Sequence, residues 1–145
     1  MSRRKLSGWL VGAVAIVLLA AVAAAQTQQG TTRNRVVIQV SDGDTTKWNL
    51  ALNNAHNIQA EFGAANVDIE IVAYGPGIGM LKLDSPVATA VGEAAAASMK
   101  IFACENTMRA QHLARSDMLD GIGYVSAGVV EIMKRQQQGW SYLRP

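Results

Sequence analysis

Only one cysteine, Cys104, occurs in the 145-residue chain, which excludes a disulfide within it. Histidine is almost as scarce, with His56 and His112 the only two, and no motif places an Asn or Asp to orient either ring. A hydrolytic triad is therefore not legible. His56 falls on the polar side of an early helical pattern, where a solvated ring is the ordinary case. His112 follows Cys104 at a spacing that does not pair them. Thirteen Lys and Arg stand against eleven Asp and Glu, and past the N-terminus no three basic residues are consecutive, so there is no electrostatic footprint for nucleic acid. Solenoid-type repeats are also missing.

At the N-terminus, Ser2-Arg3-Arg4-Lys5 is a short basic region, Trp9 to Ala25 is apolar, and Ala23-Ala24-Ala25 precedes Gln26 as a small-residue cleavage site. Residues 1–25 read as a secretory signal peptide and imply a periplasmic or otherwise exported protein. An uncleaved anchor is the alternative, since Trp9 to Ala25 approaches the ~20 residues a spanning helix needs. The membrane is a partner only in that case. The pair Arg3-Arg4 is too common in such regions to specify twin-arginine export. Cleavage would leave ten basic and eleven acidic residues, a net charge of −1, so the basic balance belongs mostly to the targeting segment. The polar stretch 26–34 reads as a flexible leader, and 35–145 as one domain large enough for its own core.

Within that domain, strand and helix patterns alternate. Arg35 to Val40 is a short β-branched run stopped by Ser41-Asp42-Gly43-Asp44. A helix follows, capped by Asp44 or Thr45, with Trp48, Ala51, Leu52, Ala55, Ile58 and Phe62 on one side and Gly63 at its end. Val67 to Tyr74 is the second strand, and the loop Gly75-Pro76-Gly77-Ile78-Gly79 follows it. Ser85-Pro86 opens a helix predicted to run to Ser98. Met99 to Ala103 is the third strand, Asn106 to about Arg115 the third helix, and Ile122 to Val125 a fourth strand. Ala127 to about Gln138 is a helix with Val129, Val130, Ile132 and Met133 predicted to face inward, and Trp140 to Leu143 is a last strand. This order predicts a three-layer α/β/α sandwich around a mostly parallel sheet of about five strands. Trp140, Tyr142 and the alanine-rich second helix are candidates for an apolar contact surface between copies.

Ligands of open parallel sheets sit at the carboxyl ends of the strands. Three segments meet there in this reading: Asp42-Gly43-Asp44, Gly75-Pro76-Gly77-Ile78-Gly79, and Cys104-Glu105-Asn106-Thr107. A cysteine where a strand gives way to a helix has its sulfur near backbone N–H groups that favour the thiolate, which makes Cys104 a candidate nucleophile or sulfur carrier. A buried, inert thiol is the alternative, and an adjacent Glu105 carboxylate would oppose ionisation unless it points away. Arg109, one turn on, is a candidate for stabilising an anionic sulfur. The glycine loop lacks the Lys-Ser/Thr of a P-loop and the spacing of a dinucleotide fingerprint, so Gly75 and Gly77 are read as rimming the cysteine pocket. Asp42 and Asp44 lack nearby partners for a metal site and read as turn and cap. No metal and no cofactor are expected.

With Met99 to Ala103 and Tyr74-Gly75-Pro76-Gly77 before it, Cys104-Glu105-Asn106-Thr107-Met108 resembles the DsrE/DsrF-like family of sulfur-relay proteins. The resemblance extends to Val40-Ser41-Asp42-Gly43, Trp48-Asn49-Leu50-Ala51-Leu52-Asn53-Asn54 and Gly128-Val129-Val130-Glu131-Ile132 with Gly139-Trp140. It implies a parallel five-stranded α/β/α sandwich, a homo-oligomer (trimer or hexamer), and a cysteine that carries a persulfide between a donor and an acceptor protein. The matching residue is Cys104. The well-understood relays are cytoplasmic, whereas this chain carries a predicted export signal. A non-enzymatic periplasmic ligand-binding or assembly module, with Cys104 merely buried, is the competing function.

Overall fold

The computed structural model describes residues 33–145. The signal peptide, with its alternative as an anchor, and residues 26–32 of the leader lie outside them. Five strands form one all-parallel sheet in the order β4-β3-β2-β1-β5: β1 Asn34–Val40, β2 Val67–Ala73, β3 Lys100–Cys104, β4 Gly123–Val125 and β5 Ser141–Leu143. The helices are α1 Thr45–Phe62, α2 Ala88–Ala96, α3 Glu105–Ala110 and α4 Gly128–Gln137. This is the three-layer α/β/α architecture that the alternation predicts. Among the described residues, no helix is long and apolar enough to cross a membrane.

The strand order fixes which helix covers which face. From β1 to β4 every crossover steps the same way, and right-handed connections put α1, α2 and α3 on one face; the return from β4 to β5 puts α4 alone on the other. Alternation along the strands divides the core accordingly. Val36, Ile38, Ile69, Ile71, Ile101 and Ala103 point to the first face and pack with Trp48, Leu52, Ala55, Val91 and Met108 in a cluster of 22 buried residues. The apolar cluster on the second face holds four: Val37, Val72, Ile132 and Trp140.

Local chemistry explains the boundaries. Asp44 caps α1 by accepting the Thr46 N–H at 2.8 Å, and Trp48 is buried with its indole N–H donating to the Asp42 carbonyl at 2.7 Å. The predicted second helix is shorter than expected. Ser85 spends its hydroxyl on the Val87 N–H and its carbonyl on the Ala88 N–H, a separate turn before the helix, and Ser98 takes a left-handed φ of 68° after it. The third helix stops at Ala110 rather than near Arg115, because His112 adopts φ 55° and the Leu113 N–H returns to the Met108 carbonyl at 2.9 Å. The expected glycine loop is a 3-10 helix, Gly75–Leu81, with Ile78, Met80 and Leu81 buried.

Two further expectations are corrected on α4 and in the turn that follows it. Its inward row is Gly128, Ile132 and Arg135, and Val129, Val130 and Met133 point to solvent, 45–58 % exposed. A helix lying on a sheet by itself touches it along one narrow line, so the residues one and five places past Gly128 are turned away. Trp140 is buried and flanked by Arg35 and Arg135, so it offers no contact surface between copies.

Candidate functional site

Cys104 is the last residue of β3, paired with Val125 of β4, and the N-cap of α3 with φ −78° and ψ 114°. The apolar run that makes β3 a central strand carries the side chain to the sheet's carboxyl edge, on the face covered by α4. One backbone N–H donates directly to the sulfur. The Gly128 N–H, the first helical residue of α4, lies 3.2 Å from Sγ. The Asn106 and Thr107 backbone N–H groups and the Thr107 hydroxyl, at the start of α3, also favour the anionic sulfur. Thr107 Oγ1 accepts the Gly75 N–H at 2.9 Å, which leaves its own proton free to donate.

Burial is the largest single influence on the Cys104 thiol and opposes ionisation, the residue being only 4 % exposed. The Thr107 hydroxyl, the Gly128 N–H and the two α3 N–H groups together outweigh it and hold the thiol below its ordinary value. Donors to the charged form are what a thiolate needs, and this site supplies them with no cationic side chain on the sulfur. Glu105 does not interfere: its carboxylate turns to Arg115 at 2.9 Å, and Arg115 lies over the Tyr124 ring.

The remaining predicted site residues distribute unevenly. Asn106 gives its backbone N–H to the Ser126 carbonyl at 3.1 Å, which ties the loop before α4 to the start of α3. Arg109 is exposed and donates to the Asn106 side chain, away from the sulfur. Gly75 reaches the site through Thr107, and Gln111 clamps the Gly75 carbonyl at 3.3 Å. Gly77 has a structural role: a Cβ there would sit 2.2 Å from the Val40 carbonyl oxygen, so only glycine lets this turn close on the end of β1. Asp42 is two strands away and is held by Lys47 and Arg144, each at 3.7 Å; Gly43 packs on Pro76. Neither Asp42 nor Gly43 touches the sulfur, because β2 lies between their strand and that of Cys104. Among the described residues, no three His, Cys, Asp or Glu side chains gather as metal ligands.

Gly128 is the functional residue that the sequence reading passes over. A Cβ on it would lie 3.0–3.2 Å from Tyr74 and Val72 atoms, so the missing side chain is what lets the start of α4 settle close enough for its N–H to reach Sγ. Its one sequence signal is a glycine in the first turn of a helix, where propensity disfavours it.

No protein-family model and no curated protein matches the chain. Solved structures do. The chain is similar to MTH1491 from Methanobacterium thermoautotrophicum, described as a protein of unknown function, at 37 % identity and TM-score 0.74, over 77 % of this chain and 99 % of that one. BT1422 from Bacteroides thetaiotaomicron, a conserved protein of unknown function, matches at 15 % identity and TM-score 0.64, over 81 % and 100 % of the two chains. The ychN protein from E. coli matches at 12 % identity and TM-score 0.63, over 78 % and 99 %. The last two similarities concern the fold alone.

Proposed function

Because the chain belongs to the family of MTH1491, a protein of unknown function, we propose its role from its own site: an exported sulfur carrier that holds sulfane sulfur as a persulfide on Cys104. The observation that carries the reading is the Gly128 N–H donating to Cys104 Sγ at the junction of β3 and α3, where it and the polar groups that open α3 hold the thiol below its ordinary value despite its burial. The DsrE-like resemblance of the Cys104-Glu105-Asn106-Thr107 segment supports the same chemistry. In the transfer step the Cys104 thiolate attacks the outer sulfur of a donor persulfide, R–S–SH. The new bond is Cys104 S–S, the donor's S–S bond breaks, and R–S⁻ leaves with the bonding pair. The sulfane sulfur changes carrier with no net oxidation, and neither metal nor base is required. The donors around Sγ favour the attacking anion and, on the reverse transfer to an acceptor, the departing one. The exposed Val129, Val130 and Met133 support the accompanying proposal of a homo-oligomer, since such a stripe calls for cover.

The near-complete burial of Cys104 favours one rival, a non-enzymatic binding or assembly module in which the thiol only packs. Intact-mass measurement after incubation with polysulfide separates the two. A gain of one sulfur that disappears in Cys104→Ser is the expected result; no gain, with a thiol that resists alkylation in the folded protein, establishes the module.

A further inference from the structure

The sheet face under α4 carries a polar cluster that the sulfur chemistry does not use. Glu70 of β2 is completely buried, and its Oε2 lies 2.9 Å from Arg135 Nε on α4. The contact is a close charge pair rather than an aligned hydrogen bond, since both atoms lack a directed hydrogen-bond partner. Arg135 also meets Glu131 at 2.9 Å and stacks on the Trp140 ring at 4.9 Å. Arg35 of β1 lies over the same ring at 5.9 Å and donates to the Gln138 carbonyl, which closes the C-terminal end of α4, at 3.0 Å. Lys100 is Glu70's neighbour on β3 and exposed. Between these groups and the sulfur, α4 buries only Gly128 and Ile132. The helix is thus pinned at its C-terminal end by charge and held along its length by one apolar side chain, while its first N–H is a donor to Sγ.

We propose that Arg135, through its contact with Glu70, is a positioning residue that holds α4, and with it the Gly128 N–H, against Cys104 Sγ. Removing the charge on Glu70 weakens the grip on the helix end, and a rigid helix transmits that loosening to its other end. This inference rests on the sulfur-carrier reading only for its consequence, the reactivity of Cys104.

Glu70→Gln tests it, because the amide keeps the volume of the buried carboxylate and lacks its charge. The alkylation rate of Cys104 against pH is expected to shift its midpoint up by about one pH unit, the loss of roughly one hydrogen bond to a charged sulfur. Amide hydrogen exchange is expected to speed up at Gly128 to Ile132 and to stay unchanged in α1. Arg135→Gln should reproduce both effects and Arg135→Lys should restore part of each. Unchanged exchange in α4 in both Glu70→Gln and Arg135→Gln overturns the proposal, as does a midpoint that stays within a few tenths of a unit of a low wild-type value. An ordinary midpoint in the wild type instead overturns the sulfur-carrier reading, and the exchange of α4 then still decides the role of Arg135.

Discussion

The two faces of the sheet are built on different principles. One is covered by three helices over an apolar cluster of 22 buried residues; the other by α4 alone, over an apolar cluster of four, with a charged cluster at its far end. Apolar packing is non-directional and tolerates small shifts, whereas a hydrogen bond to sulfur is lost within a fraction of an ångström. The thick face therefore supplies stability, and the thin face supplies the placement of one N–H. Cys104, at the end of a strand whose Ile101 and Ala103 belong to the thick face, receives its donors from α3 and from α4 on the thin one.

The largest effect expected from breaking this contrast lies on the thick face. Ile71 is fully buried at the centre of β2, and Ile71→Ala should cost about 2–5 kcal/mol in urea unfolding while leaving the alkylation midpoint of Cys104 in place. Ile132→Ala on α4 should fall at or below the low end of that range, because a singly attached helix can settle into the gap, yet it should raise the midpoint. Equal costs with an unmoved thiol would show that the faces do not differ in kind.

Gly128→Ala comes next. A methyl group crowding Tyr74 and Val72 should cost about 1–3 kcal/mol through overpacking, offset in part by the better helix propensity of alanine. The methyl group pushes the α4 start away from Sγ, so the thiol midpoint should rise even if unfolding detects little net change. A folded variant with a wild-type midpoint would remove Gly128 from the site.

Smaller, and opposite in sign, are two pH dependences on the thin face. The Cys104 thiol is held below its ordinary value, so its contribution to stability is fully present above the unfolded thiol pKa and is lost as pH falls through the folded one. Unfolding of wild type against Cys104→Ser should therefore show a difference that favours wild type more as the solution becomes alkaline. Glu70 is the reverse case: burial pushes its carboxyl up, and the Arg135 contact offsets only part of that. Its contribution is fully present below the unfolded carboxyl pKa and declines as pH rises through the folded value, so wild type should lose ground to Glu70→Gln across that acidic window. Parallel slopes in the two comparisons would contradict the assignments.

These contrasts also mark how far the sequence could be read. The central strands were accessible because β1, β2 and β3 are short runs buried along most of their length, and a parallel sheet leaves few other places for Val-Val-Ile-Gln-Val or Val-Asp-Ile-Glu-Ile-Val-Ala. The orientation of α4 was not. Its apolar residues Val129, Val130 and Met133 outnumber its buried ones, and the residue that turns the helix to the sheet is Arg135, whose partner Glu70 reads as a polar interruption of a strand. A buried ion pair looks in sequence like two surface charges. The site divides the same way. Cys104, Asn106 and Thr107 lie within one four-residue segment, so their grouping follows from one strand-to-helix junction, whereas Gly128 contributes a backbone N–H from a distant segment and has no side chain to announce it.

The smallest expected effect concerns Arg109, which the sequence places one turn from the sulfur. Its guanidinium meets the exposed Asn106 side chain and not Sγ. An exposed contact of this kind is screened by water, so Arg109→Ala should change stability by no more than about 0.5 kcal/mol. Thr107→Val is the informative neighbour, because it removes both the hydroxyl that favours the thiolate and the acceptor of the Gly75 N–H; a cost of about 1–3 kcal/mol and a raised thiol midpoint are expected. A persulfide adds a second sulfur beyond Sγ, however, and Arg109 lies on the solvent side of the same helix turn. If Arg109→Ala leaves the free thiol's midpoint unchanged but slows transfer from a persulfide donor, the guanidinium acts on the loaded form alone; if both are unchanged, Cys104 is served entirely by backbone N–H groups and Thr107.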